Sequence, residues 1–538
     1  MDFKRIHSGS LSGESLHPRK KSCRVTRLNL LICMVLCAGF ALLGLNVYQL
    51  HQMREEHLLH AREDHPITIV EGQVDKPMGN PPVVWIQGKR IETGYLNHVK
   101  IVFERLGFFV THHGDVEWDV LWAHDYPFVT LKHALVDLQP HQRVNHFPGS
   151  GYITNKGILA TMQLDAFPKC FRIPKDRDKL EEYAKLNPGT MWVQKNNNHR
   201  GIRIKQIEEL DLNSEGSFIQ EFISKPLLID KRKFDIGVYV VMTSLSPLRV
   251  YMLEDESLFR FCPENYYPFD KDNVNKYVVH DAYTPMWKIP SLQQLYTEQN
   301  YSFKETFNRY MKNQGYNVSK IWEDIHSTIL AVYLKKHPSL MQAGTVYKST
   351  RNFFELVRFD FMLDENLKLY LMEVNMSPNL STNHFMGNKR LYQHVIYNVL
   401  RVARIASMVY NQFSNIDADT DEMLASDREI TVFSEWCSTP ECAGKQGCGN
   451  LRCALCTQCL HASQKVTLRE AYLEHYNRGG CHRLIPPAIG HEAALTWSPE
   501  NPDTDAFGLQ NQRGIVSCIC GLSACAGKTA RSACDNEL

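Results

Sequence analysis

The sequence predicts an α+β protein with one membrane-spanning helix near its front and a small cysteine-rich module at its back. Three observations carry this: strand-like and helix-like patterns alternate from residue 81 to 410, an uncharged run covers Leu28–Tyr48, and eleven of the sixteen cysteines fall between Cys437 and Cys534. A chain of 538 residues that is 43% hydrophobic can build several domains around a sizeable core, which excludes a fibrous or disordered class. Its 60 basic and 59 acidic residues supply no overall field for a nucleic acid. No nucleic-acid partner is therefore expected, and partners must be read locally.

Residues 1–27 form a basic tail and residues 28–48 the transmembrane helix, since about twenty uncharged residues match the hydrocarbon thickness of a bilayer. The small residues Cys37-Ala38-Gly39 lie mid-run rather than at a cleavage position behind it, which favours an uncleaved signal-anchor over a signal peptide. Arg19, Lys20, Lys21, Arg24 and Arg27 precede the run, whereas only Arg54 and Arg62 follow closely. This asymmetry keeps the N-terminus cytosolic and puts the main domain on the lumenal or extracellular side. A cytosolic main domain is the alternative. Residues 49–80 read as a polar stalk.

Behind the 81–410 region, residues 411–435 read as an acidic linker around Ser414-Asn415-Ile416-Asp417-Ala418-Asp419-Thr420-Asp421, and 436–538 as the cysteine-rich module. Cys453-Ala454-Leu455-Cys456 and Cys456-Thr457-Gln458-Cys459 have zinc-ligand spacing, which disulfide frameworks share; the predicted topology favours disulfides. The sequons at Asn300 and Asn317 fit a lumenal domain.

Between Phe353 and Asn375, an apolar strand carrying Asp360 runs through the turn Asp364-Glu365-Asn366 into a second strand carrying Glu373. With Glu365-Asn366 as a two-residue turn, Leu371 falls opposite Asp360, and the alternation of strand side chains puts Asp360, Glu373 and Asn375 on one face. Buried carboxylates call for a cation, and oxygen donors of this kind suit Mg²⁺ held together with nucleotide phosphates. Met191–Lys195 reads as a strand entering the polar loop Asn196–Gly201, where cations and a glycine could lie over phosphates. Phe218–Ile223 and the strand leading from Lys233-Phe234-Asp235 into Val238–Met242 complete the set. Lys233 and Asp235 share a face, either as an ion pair or as part of a nucleotide site.

These stretches, in this order, resemble the tubulin tyrosine ligase-like family. The likeness extends upstream through Val144–Ser150 and Ile153-Thr154-Asn155-Lys156, downstream through Glu373-Val374-Asn375-Met376-Ser377-Pro378, and covers residues 81–410. It implies an ATP-grasp-like catalytic core that joins an amino acid, glutamate first among candidates, to a protein tail at the expense of ATP. Tubulin tails or another acidic protein would be the acceptor and a free amino acid the donor. The implied chemistry is attack of a carboxylate on the γ-phosphate, giving an acyl phosphate that an amine opens to an amide. By resemblance, Lys156 and Lys195 look like phosphate-binding lysines, with Arg200 and Gly201 in the phosphate loop. Gln220, Glu221, Phe222 and Ile223 would frame adenine, while Lys233 and Asp235 continue the nucleotide site. Asp360, Glu373 and Asn375 look like Mg²⁺ ligands, and Arg260 like an arginine that meets the acceptor or the transferred phosphate.

The chain departs from the family where an arginine usually follows Lys233-Phe234-Asp235-Ile236, since Gly237 stands there. Arg203, where a second glycine is usual, is the residue expected to replace the lost cation. The family's His-Leu-Thr-Asn appears as His280-Asp281-Ala282-Tyr283. The alternative reading is a catalytically impaired nucleotide-binding or interaction protein on the lumenal or extracellular side of a membrane.

Overall fold

The structure, a computed structural model, describes residues 81–88, 91–195, 203–408, 422–431, 434–449, 453 and 456–487. The expected tail 1–27, span 28–48 and stalk 49–80 lie outside these residues, as do Arg200, Gly201, much of the 411–435 linker and the cysteines from Cys518 onward. Among the described residues no helix is long and apolar enough to cross a membrane.

Three sheets carry the chain. The first is parallel, in the order β2 (Phe109–Thr111), β1 (Val83–Gln87), β3 (Val120–Ala123), β4 (Arg143–Val144). Its central strands are short apolar runs, Val83-Val84-Trp85-Ile86 and Val120-Leu121-Trp122-Ala123, buried throughout as a sheet covered on both faces requires. The second is antiparallel, in the order β5 (Cys170–Ile173), β8 (Ser217–Glu221), β6 (Trp192–Lys195), β7 (Ile204–Lys205).

The third sheet has eight strands: β9 (Leu228–Ile229), β10 (Arg232–Leu245), β11 (Leu248–Leu253), β12 (Leu258–Phe261), β13 (Thr284–Pro285), β14 (Glu355–Leu363), β15 (Leu369–Met376) and β16 (Cys481–Ile485). Its spine is β10, buried from Ile236 to Leu245, with β14 on one edge and β12 followed by β11 on the other. Helix α1 (Val318–Gly344) presents Ile321, Ile325, Ile329 and Val332 at helical spacing to the core, and its Tyr333 ring meets Phe359 of β14 at 6.1 Å between centroids.

The β14–β15 hairpin has the expected strands but a different register. Glu373, not Leu371, stands opposite Asp360, and Leu371 pairs with Phe361, because the register slips at Met372. The turn is also longer than two residues. Asp364 Oδ1 accepts the backbone N–H groups of Asn366 and Lys368, and Leu367 turns the chain at φ 63°.

Among the described residues behind 436, a disulfide-tied segment is followed by two elements that pack on the core. Cys437–Cys456, Cys442–Cys453 and Cys448–Cys459 are disulfides, so the overlapping Cys-x-x-Cys pairs hold no zinc. The chain then returns to the core as α2 (Ala462–Tyr476) and β16, which pairs antiparallel with β11. Glu474 of α2 takes the Arg249 guanidinium at 2.8 and 3.0 Å, along with the hydroxyls of Thr243 and Tyr251. The cysteine-rich composition had masked a helix and a strand whose buried side chains, Leu468, Ala471, Leu473 and Cys481, belong to the core.

Candidate functional site

A cavity of about 510 Å³ opens between the second sheet and the β10–β12–β14–β15 part of the third. Lys156, Lys195, Arg203, Gln220, Phe222, Lys233, Asp235, Arg260, Asp360 and Glu373 line it, so ten residues singled out in sequence converge on one wall system. Its size and few convergent polar groups suit a small-molecule site.

The register of the sheet sets the acidic end. Gly237 of β10 pairs with Asp360 of β14, and Asp360 with Glu373 of β15, while Asp235 of β10 pairs with Arg260 of β12. Arg260 donates Nε and Nη2 to Asp235 at 3.0 and 2.7 Å and Nη2 again to Asp360 at 2.9 Å. Lys156 reaches Glu373 Oε2 at 2.8 Å from the first turn of its helix, whose preceding residue, Asn155, accepts the N–H of Ile158. Burial pushes the Glu373 carboxyl up, but Lys156 and the Asn375 amide outweigh it and bring it down to about 2. Burial raises Asp235 against the pull of Arg260.

Asn375 sits beside the cavity and donates Nδ2 to Asp360 Oδ2 at 2.8 Å and Glu373 Oε1 at 3.1 Å. The amide nitrogen therefore faces the carboxylates, and a half-turn of the Asn375 amide would present its oxygen instead. Two carboxylates, with that oxygen once turned, are a donor set that fits Mg²⁺. Among the described residues no cluster of three or more His, Cys, Asp or Glu side chains gathers as a self-sufficient metal cage, so phosphate oxygens would complete the coordination.

At the other end, Lys195 of β6 donates to Gln220 Oε1 of β8 at 2.8 Å, and burial pushes its ammonium down to about 8. Gln220 Nε2 is buried without a hydrogen-bond partner, a donor that a base acceptor could satisfy. Phe222 meets Tyr277 edge to face at 5.7 Å, giving that end an aromatic wall. Glu221 and Ile223 flank it, with Glu221 taking the Tyr183 hydroxyl at 3.4 Å. Lys233 does not pair with Asp235. It donates to the Tyr277 carbonyl at 2.8 Å, and burial lowers its ammonium.

The side chain against Gly237 is Arg358, not Arg203. A Cβ built on Gly237 would lie 2.9 Å from Arg358 Cδ, 3.2 Å from its Nε and 3.4 Å from Asp360 Oδ1. Arg203 lines the same cavity from an exposed position beside β7. Sequence reasoning passed over Arg358, although a charge two residues before Asp360, in a strand that is otherwise apolar after Glu355, shares its face by simple alternation. His280 Nε2 meets the Asn275 side chain at 3.0 Å, and the Tyr283 hydroxyl takes the Asn388 amide at 2.6 Å.

Residues 134–416 match the Tubulin-tyrosine ligase family. Probable tubulin polyglutamylase ttll-15 of Caenorhabditis elegans is 39% identical over 416 residues, covering 75% of this chain and 80% of that protein. Tubulin polyglutamylase TTLL6 of Mus musculus is 30% identical over 344 residues, covering 60% and 40%, and tubulin monoglutamylase TTLL4 of Homo sapiens is 29% identical over 342 residues, covering 59% and 28%. The chain thus spans most of the first relative and under half of the other two. Together with the charged cavity between two antiparallel sheets, these matches define the class of protein: it is a ligase with an ATP-grasp-like domain. The chain belongs to the Tubulin-tyrosine ligase family.

Proposed function

We propose that this ligase uses ATP to join glutamate to the acidic tail of a protein, tubulin being the acceptor in the names of its relatives. The observation that carries the reading is the cavity itself, where Lys156, Lys195, Lys233 and Arg260 face Asp360 and Glu373. Lysines and an arginine ranged along one cavity suit a polyphosphate, and the Lys195–Gln220–Phe222 end suits its base. An acceptor carboxylate oxygen attacks the γ-phosphorus as the bond to ADP breaks, giving an acyl phosphate. The glutamate amine then attacks the acyl carbon, phosphate leaves, and the nitrogen loses its proton. Mg²⁺ held by Asp360, Glu373 and Asn375 would neutralise charge on the phosphate oxygens. The protein's own part is to fix cations where that charge develops, the largest contribution such a site makes. ATP-dependent incorporation of labelled glutamate into an acidic acceptor tests this, with Glu373→Gln as the inactive control. A chain that binds ATP and incorporates nothing sinks the reading.

Three disulfides favour a second statement about place: the domain works on the lumenal or extracellular side, anchored by residues 28–48, where its acceptor is an acidic protein other than cytosolic tubulin. The sequon residues Asn300 and Asn317 are both exposed. Asn317 also caps α1 by accepting the Lys320 N–H through Oδ1, which leaves Nδ2 for a glycan. A glycosidase-sensitive mass shift that vanishes in Asn300→Gln/Asn317→Gln supports this side. Modification of cytosolic tubulin by the unglycosylated chain in cells overturns it.

A further inference from the structure

We infer that Arg358 provides, from the strand next door, the cation that position 237 lacks, and that it is the positioning residue for Asp360. The inference rests on the ligase reading above and assigns a role that the family resemblance left empty.

The geometry is specific. Gly237 and Asp360 are paired across the β10–β14 ladder, with Arg358 two residues before Asp360 on the same face. Arg358 puts Nε on Asp360 Oδ1 at 2.6 Å and Nη2 on Oδ2 at 2.9 Å, a two-point contact that fixes both the place and the plane of the carboxylate. Its aliphatic stem lies where a side chain at 237 would begin, because the Cβ of any other residue there would stand 2.9 Å from Arg358 Cδ. A Cβ at 237 would force the Arg358 stem to move, so glycine at 237 and the present pose of Arg358 go together.

A purely structural counter-ion is the plainer alternative, and the contact geometry weighs against it. Arg260 gives Asp360 a single contact at 2.9 Å and spends two on Asp235, so Arg358 balances charge as well, but its fork does more than that. Burying another arginine, 6% exposed here, in a strand whose nine residues are all buried is costly compared with an apolar side chain. What the second guanidinium adds is orientation: Arg260 ties one oxygen of Asp360, and Arg358 ties both.

The test is a swap in the full chain. Arg358→Gly should lower kcat for glutamate incorporation by about 10²–10³-fold, with nucleotide affinity changed only a few-fold. Gly237→Arg alone should be as poor, since the new side chain collides with Arg358. The double variant Gly237→Arg/Arg358→Gly should regain at least about tenfold over either single variant, the non-additivity expected of residues in contact. Arg358→Lys, which keeps the charge without the fork, should not substitute. Crystal structures give a readout apart from activity. Asp360 should rotate in Arg358→Gly, and the swap should return a guanidinium to it from position 237. Unchanged kcat in Arg358→Gly, or an Asp360 that keeps its orientation without either arginine, overturns the inference. A wild-type chain without ATP-dependent incorporation would defeat the ligase reading instead, and the Asp360 orientation would still decide the role of Arg358.

Discussion

Arg358 and Asp360, two residues apart on one strand, hold each other through two hydrogen bonds while only 6% and 2% of their side chains remain exposed. Asp360→Asn keeps the shape but takes the shared anion away from Arg358 and Arg260. Denaturant unfolding of the ligand-free chain should show a loss of about 3–5 kcal/mol. Glu373→Gln should cost less than Asp360→Asn, because the Glu373–Lys156 pair is 29% exposed on both sides.

Lys195 leads to a pH dependence. Burial holds its ammonium at about 8, so it carries its charge below that pH and loses it above. A polyphosphate prefers the charged form, so nucleotide affinity should weaken as pH rises through about 8, and bound nucleotide should raise the lysine's titration point. Calorimetric titration across this range checks it. Lys195→Arg, which stays charged, should flatten the profile.

Ending the chain at residue 410 removes β16 and Glu474. The edge of β11 would be uncovered and Arg249, 3% exposed, would lose the Glu474 carboxylate, so the truncated protein should aggregate on expression. In the full chain, Glu474→Ala should cost about 3–5 kcal/mol in chemical denaturation.

The three disulfides close loops of 19, 11 and 11 residues in sequence separation, each worth roughly 3 kcal/mol to the segment they tie. A reductant should make residues 437–459 sensitive to protease while a zinc chelator leaves them intact. Limited proteolysis read by mass spectrometry distinguishes the two.

The side chains that meet at the cavity were legible because strands alternate: Asp360, Glu373 and Asn375 share a face, as do Lys233 and Asp235. The partner of Asp360 was not legible, since the slip at Met372 is a matter of backbone pairing that side-chain alternation does not encode. The Asp235–Arg260 contact joins residues 25 apart through a strand pairing that local patterns leave open. Arg203 was the expected replacement at Gly237 because it stood out as an odd residue in its own segment. The space at Gly237 is filled by Arg358 instead, a long-range neighbour visible only once β10 and β14 are paired.

Turnover at the Asp360–Glu373 site is tested most directly by following oxygen. An acidic acceptor peptide whose side-chain carboxylates carry a heavy-oxygen label is incubated with the chain, ATP, Mg²⁺ and glutamate, and the phosphate released is weighed by mass spectrometry. One labelled oxygen should appear in phosphate for each amide bond formed, and neither product should appear with Glu373→Gln. Amide bonds formed without label in the phosphate, or ATP bound with no amide at all, would contradict ligation through an acyl phosphate at this site.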